Sequence, residues 1–272
     1  MAMDGLMVGA VAYDAKVVPI WEGICDYYLD APIPMDVVWF SNYEAQVAAL
    51  LGGFVDVAWN TNLAYVRVHR ATAGACRVLA MRDTDVGFRT LLVARTGELG
   101  GLEDLRGRTV ALGSADSAQA AIMPLHYLAR AGLAPESDVA LVRFDSDVGK
   151  HGDTGRSERE GLGAVLEGTA DAAAVGAASW DAFVRAGEVP PGRLEPIWTS
   201  PPYNHCNFTA LPTLDGERAD AWAGHLLAMD WANPEHRRIL ELEGLREWIR
   251  PDLDGYRDVF DAVEEQGVAS RW

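Results

Sequence analysis

Lysine is almost missing from this chain: of its 23 basic residues only Lys16 and Lys150 are lysines, and the other 21 are arginines. Basic residues are few altogether, 23 against 40 acidic ones, for a formal charge of −17. No basic run interrupts that acidity, which argues against DNA and RNA, whose binding rests on cationic patches that release counterions. It argues equally against anionic membrane surfaces. No stretch reaches the ~18 consecutive apolar residues of a membrane-crossing helix, so no membrane insertion is expected. Cysteine is sparse too: Cys25, Cys76 and Cys206 are far apart and form no CxxC pair. They suit a reducing compartment better than a disulfide framework, and Met1–Ala12 lacks the basic and apolar regions of a secretory signal. A cytoplasmic location is therefore expected, with a periplasmic or extracellular lipoprotein as the alternative if a leader has been removed. P-loop, GxGxxG and GxSxG motifs are absent, so nucleotide and hydrolase readings lack a motif and no cofactor is expected. No His/Cys spacing suits zinc apart from the adjacent His205-Cys206, so no metal is expected either.

What is there is a soluble, globular pattern: 272 residues, 49% hydrophobic, enough for one large domain or two lobes. Short apolar strands alternate with helices, which predicts an α/β fold with a largely parallel sheet. One unit repeats weakly. Val47–Trp59 and Leu162–Ala174 each read as an apolar helix, a glycine (Gly53, Gly168), two residues, an aspartate (Asp56, Asp171) and a small-residue strand. The glycine suits the left-handed position beyond a helix C-terminus, which a Cβ would penalise. One copy in each half suggests two similar lobes. Between Asp145 and Glu160 the chain is polar, glycine-rich and without periodicity, which predicts a surface loop.

These residues resemble a known family. Asn42–Ala64, with its Gly53-Phe-Val-Asp-Val-Ala-Trp59 core, is similar to the first lobe of the phosphate/phosphonate-type solute-binding proteins of ABC transporters. Glu103–Ser114 (Glu-Asp-Leu-Arg-Gly-Arg-Thr-Val-Ala-Leu-Gly-Ser) resembles that family's entry to the second lobe. Pro124, Gly132-Leu-Ala-Pro135, Val165–Asp171 and Trp198–Pro202 continue the match in collinear order. The resemblance implies a type II periplasmic-binding-protein fold: two α/β lobes, 1–92 plus 203–272 and 93–202, joined by two crossover strands with a ligand cleft between them. Phe88–Ala94 and Asn207–Leu211 would be the crossovers, and the C-terminal helices would return to lobe one. It also implies a small-molecule ligand, and an ABC permease as partner only if a leader has been removed.

The departures from the family bear on the ligand. Its second lobe opens with a Ser-Thr-Ser-type cluster at a helix N-terminus, where hydroxyls and N–H groups hold an oxyanion. The matching positions here read Ser117-Ala118-Gln119, preceded by Asp116, whose plainest role is an N-cap. A small polar ligand, carboxylate-bearing or zwitterionic, is therefore expected in place of a phosphonate. The resemblance and the loop positions nominate Tyr13, Lys16, Tyr43, Trp59, Asn60, Asn62, Ser114, Ser117, Gln119, Lys150, His151, Trp180 and His205 as ligand-binding. Trp59 and Trp180 would offer aromatic faces, and the amides and hydroxyls hydrogen bonds. The two lysines fall in predicted cleft loops, where a flexible ammonium differs from a guanidinium. The alternative is a cytoplasmic enzyme on the same fold, a decarboxylase, lyase or biosynthetic enzyme for a small organic acid. Lys16 or His151 would then be the acid/base, with His205 orienting or polarising a carbonyl. Replacing Lys16 and Lys150 separately by Met is expected to weaken thermal stabilisation by ligand. Unchanged responses in both would remove the lysines from the site.

Overall fold

The computed structural model describes residues 5–270. Along the chain come β1 (Leu6–Val11), α1 (Val17–Tyr27), β2 (Met35–Phe40), α2 (Tyr43–Leu51), β3 (Val57–Asn60), α3 (Asn62–Ala71) and β4 (Arg77–Arg82). Then follow β5 (Thr90–Arg95), β6 (Thr109–Leu112), α4 (Met123–Arg130, preceded by a π-helical turn over Ala118–Ile122), β7 (Ala140–Arg143), α5 (Arg156–Glu167), β8 (Ala172–Gly176), α6 (Ala177–Arg185) and β9 (Leu194–Thr199). The chain closes with β10 (Asn207–Ala210), α7 (Gly216–Leu227), α8 (Pro234–Glu243), β11 (Trp248–Ile249) and α9 (Arg257–Glu265). The chain divides into two units: one takes the described residues up to Gly87 with Asn204–Arg257, the other Phe88–Tyr203 and the described residues from Asp258.

Each unit has the same sheet plan. In the first the order is β11-β4-β10-β3-β1-β2, in the second β7-β6-β8-β5-β9. β1 pairs parallel with β2 and β3, and β6 with β7 and β8. One antiparallel strand from a distant stretch of chain is inserted beside each third strand, β10 against β3 and β5 against β8. Alternation sorts the side chains between the two faces of each sheet. In the first unit Val57 and Trp59 join Trp21, Tyr28, Phe208 and Trp222 in one core, whereas Ala58 joins Tyr43, Val47 and Leu50 in another. In the second unit Ala172 and Ala174 meet Leu125 and Leu128, while Ala173 and Val175 meet Leu162 and Phe183.

The repeated motif has a shared geometry. Gly53 and Gly168 take φ of 72° and 78°, the left-handed turn expected after each helix. Asp56 then accepts the Met7 N–H through Oδ2 at 2.8 Å while its own N–H donates to the Met7 carbonyl at 2.8 Å. Asp171 does the same to Thr109, with both bonds again 2.8 Å. Each aspartate thus pins the first residues of the neighbouring parallel strand, just before the ladder begins.

Two boundaries differ from the sequence expectation. Residues from Asp258 onward pack with the second unit and do not return to the first. Polar ties hold α9 there: Tyr127 Oη donates to Asp258 at 2.7 Å, His126 Nδ1 lies 2.7 Å from Glu265, and Gln266 Nε2 donates to the Ile122 carbonyl at 2.8 Å. The first boundary likewise falls at Gly87, before β5, where the sequence had put residue 92.

Asp56→Ala and Asp171→Ala are each expected to cost about 1–2 kcal/mol, the scale of a charge-assisted bond to a strand N–H. Urea unfolding measures this. Unchanged midpoints in both variants would mean that ladder pairing alone sets the strand register.

Candidate functional site

In parallel α/β sheets, ligands bind beyond the carboxyl ends of the strands. In the second unit that edge carries Gly113 and Ser114 after β6, the turn at Ser117, and Gly176 ending β8. The helix there begins loosely. Ile122 N–H reaches the Ser117 carbonyl at 3.0 Å, a π-type bond, and such turns recur at functional sites. Ser117 caps this helix, its Oγ accepting from Ala120 N–H at 3.2 Å. Asp116 is therefore not the cap: its Oδ2 accepts the Gly149 N–H at 2.5 Å and lies 4.0 Å from His151 Nε2.

The segment expected as a solvated surface loop is instead tied down onto this helix start. Asp147 and His151 are each 1% exposed. Ser114 Oγ accepts the Asp147 N–H at 2.8 Å and donates to the Phe144 carbonyl at 3.3 Å. Asp147 in turn accepts the Ser157 N–H at 2.8 Å and the Thr154 hydroxyl, joining the loop to the start of α5. Gly149 and Gly152 have φ of 83° and 86°, and His151 shares the left-handed region at 53°. A Cβ on Gly152 would overlap Ser117 Oγ, so only glycine fits that approach. Lys150 is half-buried in the same loop. Of the nominated hydroxyls, Ser114 is engaged within the protein as both acceptor and donor, and Ser117 as an acceptor.

Behind this layer is a polar cluster that sequence reasoning missed. Glu158 is fully buried and its Oε1 accepts the Gly176 N–H at 2.7 Å. Gln119 lies beside it; its carbonyl accepts from Thr90 Oγ1 at 2.9 Å, and Thr90 Oγ1 is 2.8 Å from Tyr203 Oη. Gln119 Oε1 and Ser157 Oγ are buried and have no hydrogen-bond partner among the described residues. Burial pushes the Glu158 carboxyl up to about 7, with nearby Asp147 adding to the rise; the Gly176 N–H, Ser179 and Arg159 offset part of it. A signal for Glu158 was present in the sequence. It stands four and seven residues before Leu162 and Val165, on the buried face of α5.

In the first unit several nominated residues turn inward. Trp59 belongs to the core: its ring is 4.6 Å from Phe208 and 5.7 Å from Trp248, with the Arg82 guanidinium 5.1 Å above it. Tyr43 is buried in the opposite core. Asn62 is a tie, its Nδ2 donating to the Asn204 carbonyl at 3.2 Å and its Oδ1 accepting from Leu63 N–H. Asn60 accepts from Gln46 Nε2 at 3.0 Å, leaving Asn60 Nδ2 and Gln46 Oε1 without partners among the described residues. Tyr13 is half-buried against both cores and Lys16 is exposed, its Nζ 5.5 Å from the Tyr13 ring. Trp180, in the second unit, is half-buried against the core beneath α6.

His205 sits in a buried corner of the first unit. Its Nδ1 is 2.9 Å from Cys206 Sγ and 3.6 Å from Asp85. Asp85 takes two bonds from Arg82, at 2.7 and 2.9 Å, and the Cys206 N–H at 3.1 Å. Burial alone would raise Asp85; Arg82, and behind it His205, outweigh that and hold it at about 2. Asp85, His205 and Cys206 do bring three potential metal ligands within 4.8 Å of one another. The guanidinium already neutralises the carboxylate there, which disfavours a second cation. This is a locked corner, poorly suited to moving protons. Among the proposed acid/base groups, Lys16 and His205 belong to the first unit and His151 to the second.

The profile of the family described as "ABC transporter, phosphonate, periplasmic substrate-binding protein" matches residues 28–256. The probable ABC transporter phosphite binding protein PhnD1 of Prochlorococcus marinus (strain MIT 9301) is 23% identical over 229 residues, covering 80% of this chain and 74% of that one. The solved structure of PhnD1 in complex with methylphosphonate superposes with a TM-score of 0.76 at 20% identity, covering 96% of this chain and 98% of that one. XAC2383 from Xanthomonas citri, bound to ATP, gives 0.75 at 17% identity, with 97% and 98% covered. The periplasmic aliphatic sulphonate binding protein SsuA from Escherichia coli gives 0.62 at 13%, with 98% and 94% covered. The fold is that of the type II periplasmic binding proteins. The cytoplasmic location inferred from the cysteines finds no support among these relatives, whose family is periplasmic, and neither does the enzyme alternative.

A carboxyl raised from 4.5 to about 7 holds its proton more tightly when folded. Its contribution to stability is complete below about 4.5 and is lost as pH rises through about 7, roughly 3 kcal/mol in all. The melting temperature of the ligand-free protein is expected to fall between pH 5 and 8, and Glu158→Gln to flatten that fall. Parallel curves for the two proteins would exclude Glu158 as its source.

Proposed function

The chain belongs to the phosphonate-binding family of ABC-transporter periplasmic substrate-binding proteins, and from that premise we propose that it captures a small carboxylate-bearing or zwitterionic solute for an ABC permease. The observation that carries this reading is the state of the helix start at Ser117. A free helix N-terminus with idle hydroxyls suits a phosphonate or phosphate. Here Ser114 is committed to internal bonds as donor and acceptor, Ser117 Oγ already accepts the Ala120 N–H, and the Asp116 carboxylate stands beside that helix start. A second negative group brought to that place would meet like charge in a buried setting. PhnD1 is described with phosphite and methylphosphonate; the departure at Asp116 supports a different solute for this chain. Its surface charge of −17 adds no attraction for an anion, so capture depends on local donors.

Calorimetric titration with phosphate, phosphite, methylphosphonate, small carboxylates and amino acids tests the proposal. Binding is expected in the carboxylate and amino-acid group, with phosphate, phosphite and methylphosphonate at least about tenfold weaker, a difference of 1.4 kcal/mol. Micromolar methylphosphonate binding, with no response to the others, would overturn the solute class and leave the receptor role standing.

A further inference from the structure

The π turn over Ala118–Ile122 has a cause in the sequence. Within it the Ile122 N–H bonds the Ser117 carbonyl at 3.0 Å and the Met123 N–H bonds the Ala118 carbonyl, each five residues back. The next residue is Pro124, in the first turn of α4, and proline has no N–H to give. Continued as a π turn, the helix would need that N–H at the Gln119 carbonyl. Wound as an α-helix, it would need it at the Ala120 carbonyl. Residue 124 serves neither.

Both carbonyls are met from the sheet instead. Thr90 Oγ1 donates to the Gln119 carbonyl and the Gly113 N–H donates to the Ala120 carbonyl, each at 2.9 Å. Thr90 is fully buried and held on two further sides: its N–H donates to Ser200 Oγ at 2.9 Å, and Tyr203 Oη lies 2.8 Å from its hydroxyl. A threonine hydroxyl has one proton. With that proton on Gln119, Tyr203 is the donor of the second bond. The approach at Gly113 is equally close, since a Cβ there would lie 2.6 Å from Ala120 Cβ. Gln119 and Ala120 are themselves buried, so a carbonyl left unmade on either would be costly.

We infer that Pro124 and Thr90 are positioning residues of the solute site: Pro124 withholds the N–H that a regular helix would use, and Thr90 supplies the hydrogen that the widened turn needs. A π turn holds one residue more than an α turn. With that residue taken up into a regular α-helix, the chain before it would sit about 100° round the helix axis from its present place. Ser117 would then leave the spot where the 145–155 loop closes on it, at the glycine whose Cβ would overlap Ser117 Oγ. Asp116 would likewise lose the Gly149 N–H. The inference rests on the solute-receptor reading, which puts the solute at this helix start. Pro124 and Thr90 act through Ser117 and Gln119 and not on the solute itself.

Three variants of the full chain test this: Pro124→Ala, Thr90→Val, which removes the hydroxyl, and Thr90→Ser, which keeps it. Crystal structures read the partner of the Ile122 N–H, and calorimetric titration with glycine, acetate and methylphosphonate reads affinity. In Pro124→Ala and Thr90→Val the Ile122 N–H is expected to move to the Ala118 carbonyl, and the tightest-binding probe to weaken about tenfold or more. Thr90→Ser is expected to keep the π turn and to stay within about twofold of wild-type affinity. Thermal unfolding shows which variants are folded at the titration temperature; if Thr90→Val is not, Pro124→Ala decides. A purely structural role would lower the melting temperature and leave the folded protein's affinity unchanged, and that result would overturn the inference. So would an intact π turn in Pro124→Ala and Thr90→Val, or a Thr90→Ser variant as weak as Thr90→Val. Silence of all three probes on the wild-type protein would count against the receptor reading alone, and the partner of the Ile122 N–H in Pro124→Ala would still decide whether these residues set the turn.

Discussion

An aspartate placed immediately before a small-residue strand holds each unit in register. Asp56 grips Met7, the second residue of β1, and Asp171 grips Thr109, the first of β6, each by two bonds, N–H to carboxylate and aspartate N–H to carbonyl. A strand has a side-chain period of two, so a one-residue slip would exchange its two faces. In the first unit that exchange would turn Trp59 out of the aromatic core and drive Ala58 into it. In the second it would swap the alanines of β8 between the cores beneath α4 and α5. The left-handed glycine before each aspartate delivers the chain to this position, which is why the motif occurs as a block.

Strand register also decides where function can sit. With β6 and β8 fixed, Gly113 and Gly176 end side by side at one edge of the second sheet, and the starts of two helices gather above them. The polar groups there fall into two sets. Ser114 and Asp116 accept N–H groups of the 145–155 loop, Asp147 ties that loop to the start of α5, and Ser117 caps its own helix. Gln119 and Ser157 keep buried side-chain oxygens without a partner among the described residues, beside a Glu158 carboxyl whose affinity for its proton burial raises. The first set makes the edge rigid. The second makes it less stable than an apolar edge would be, a cost that recurs where proteins bind ligands.

Much of the fold was legible in local pattern. The alternation of short strands and helices, the Gly-x-x-Asp repeat and the collinear motifs pointed to two α/β lobes, because periodicity and backbone strain are written in neighbouring residues. The site was less so. Trp59 was read as a ligand wall although Val57 and Trp59 share a parity that Ala58 breaks, which marks a core face. Asp145–Glu160 was read as solvated because it is polar and rich in glycine, yet its polar groups pair with Ser114 and Asp116, some thirty residues away in sequence. Glu158 was passed over although it continues the apolar stripe of α5, since an acidic residue in a first helical turn is ordinarily a solvated partner of the helix dipole.

The sequence by itself determined which class of architecture this chain adopts and where two of its helices are followed by left-handed glycines. Those properties depend on composition and on residues a few positions apart. Only the tertiary structure decided which polar groups are spent and which are spare. A hydroxyl or carboxylate is satisfied by whatever the fold brings within about 3 Å, and for Ser114 and Asp116 that neighbour lies 33 residues away.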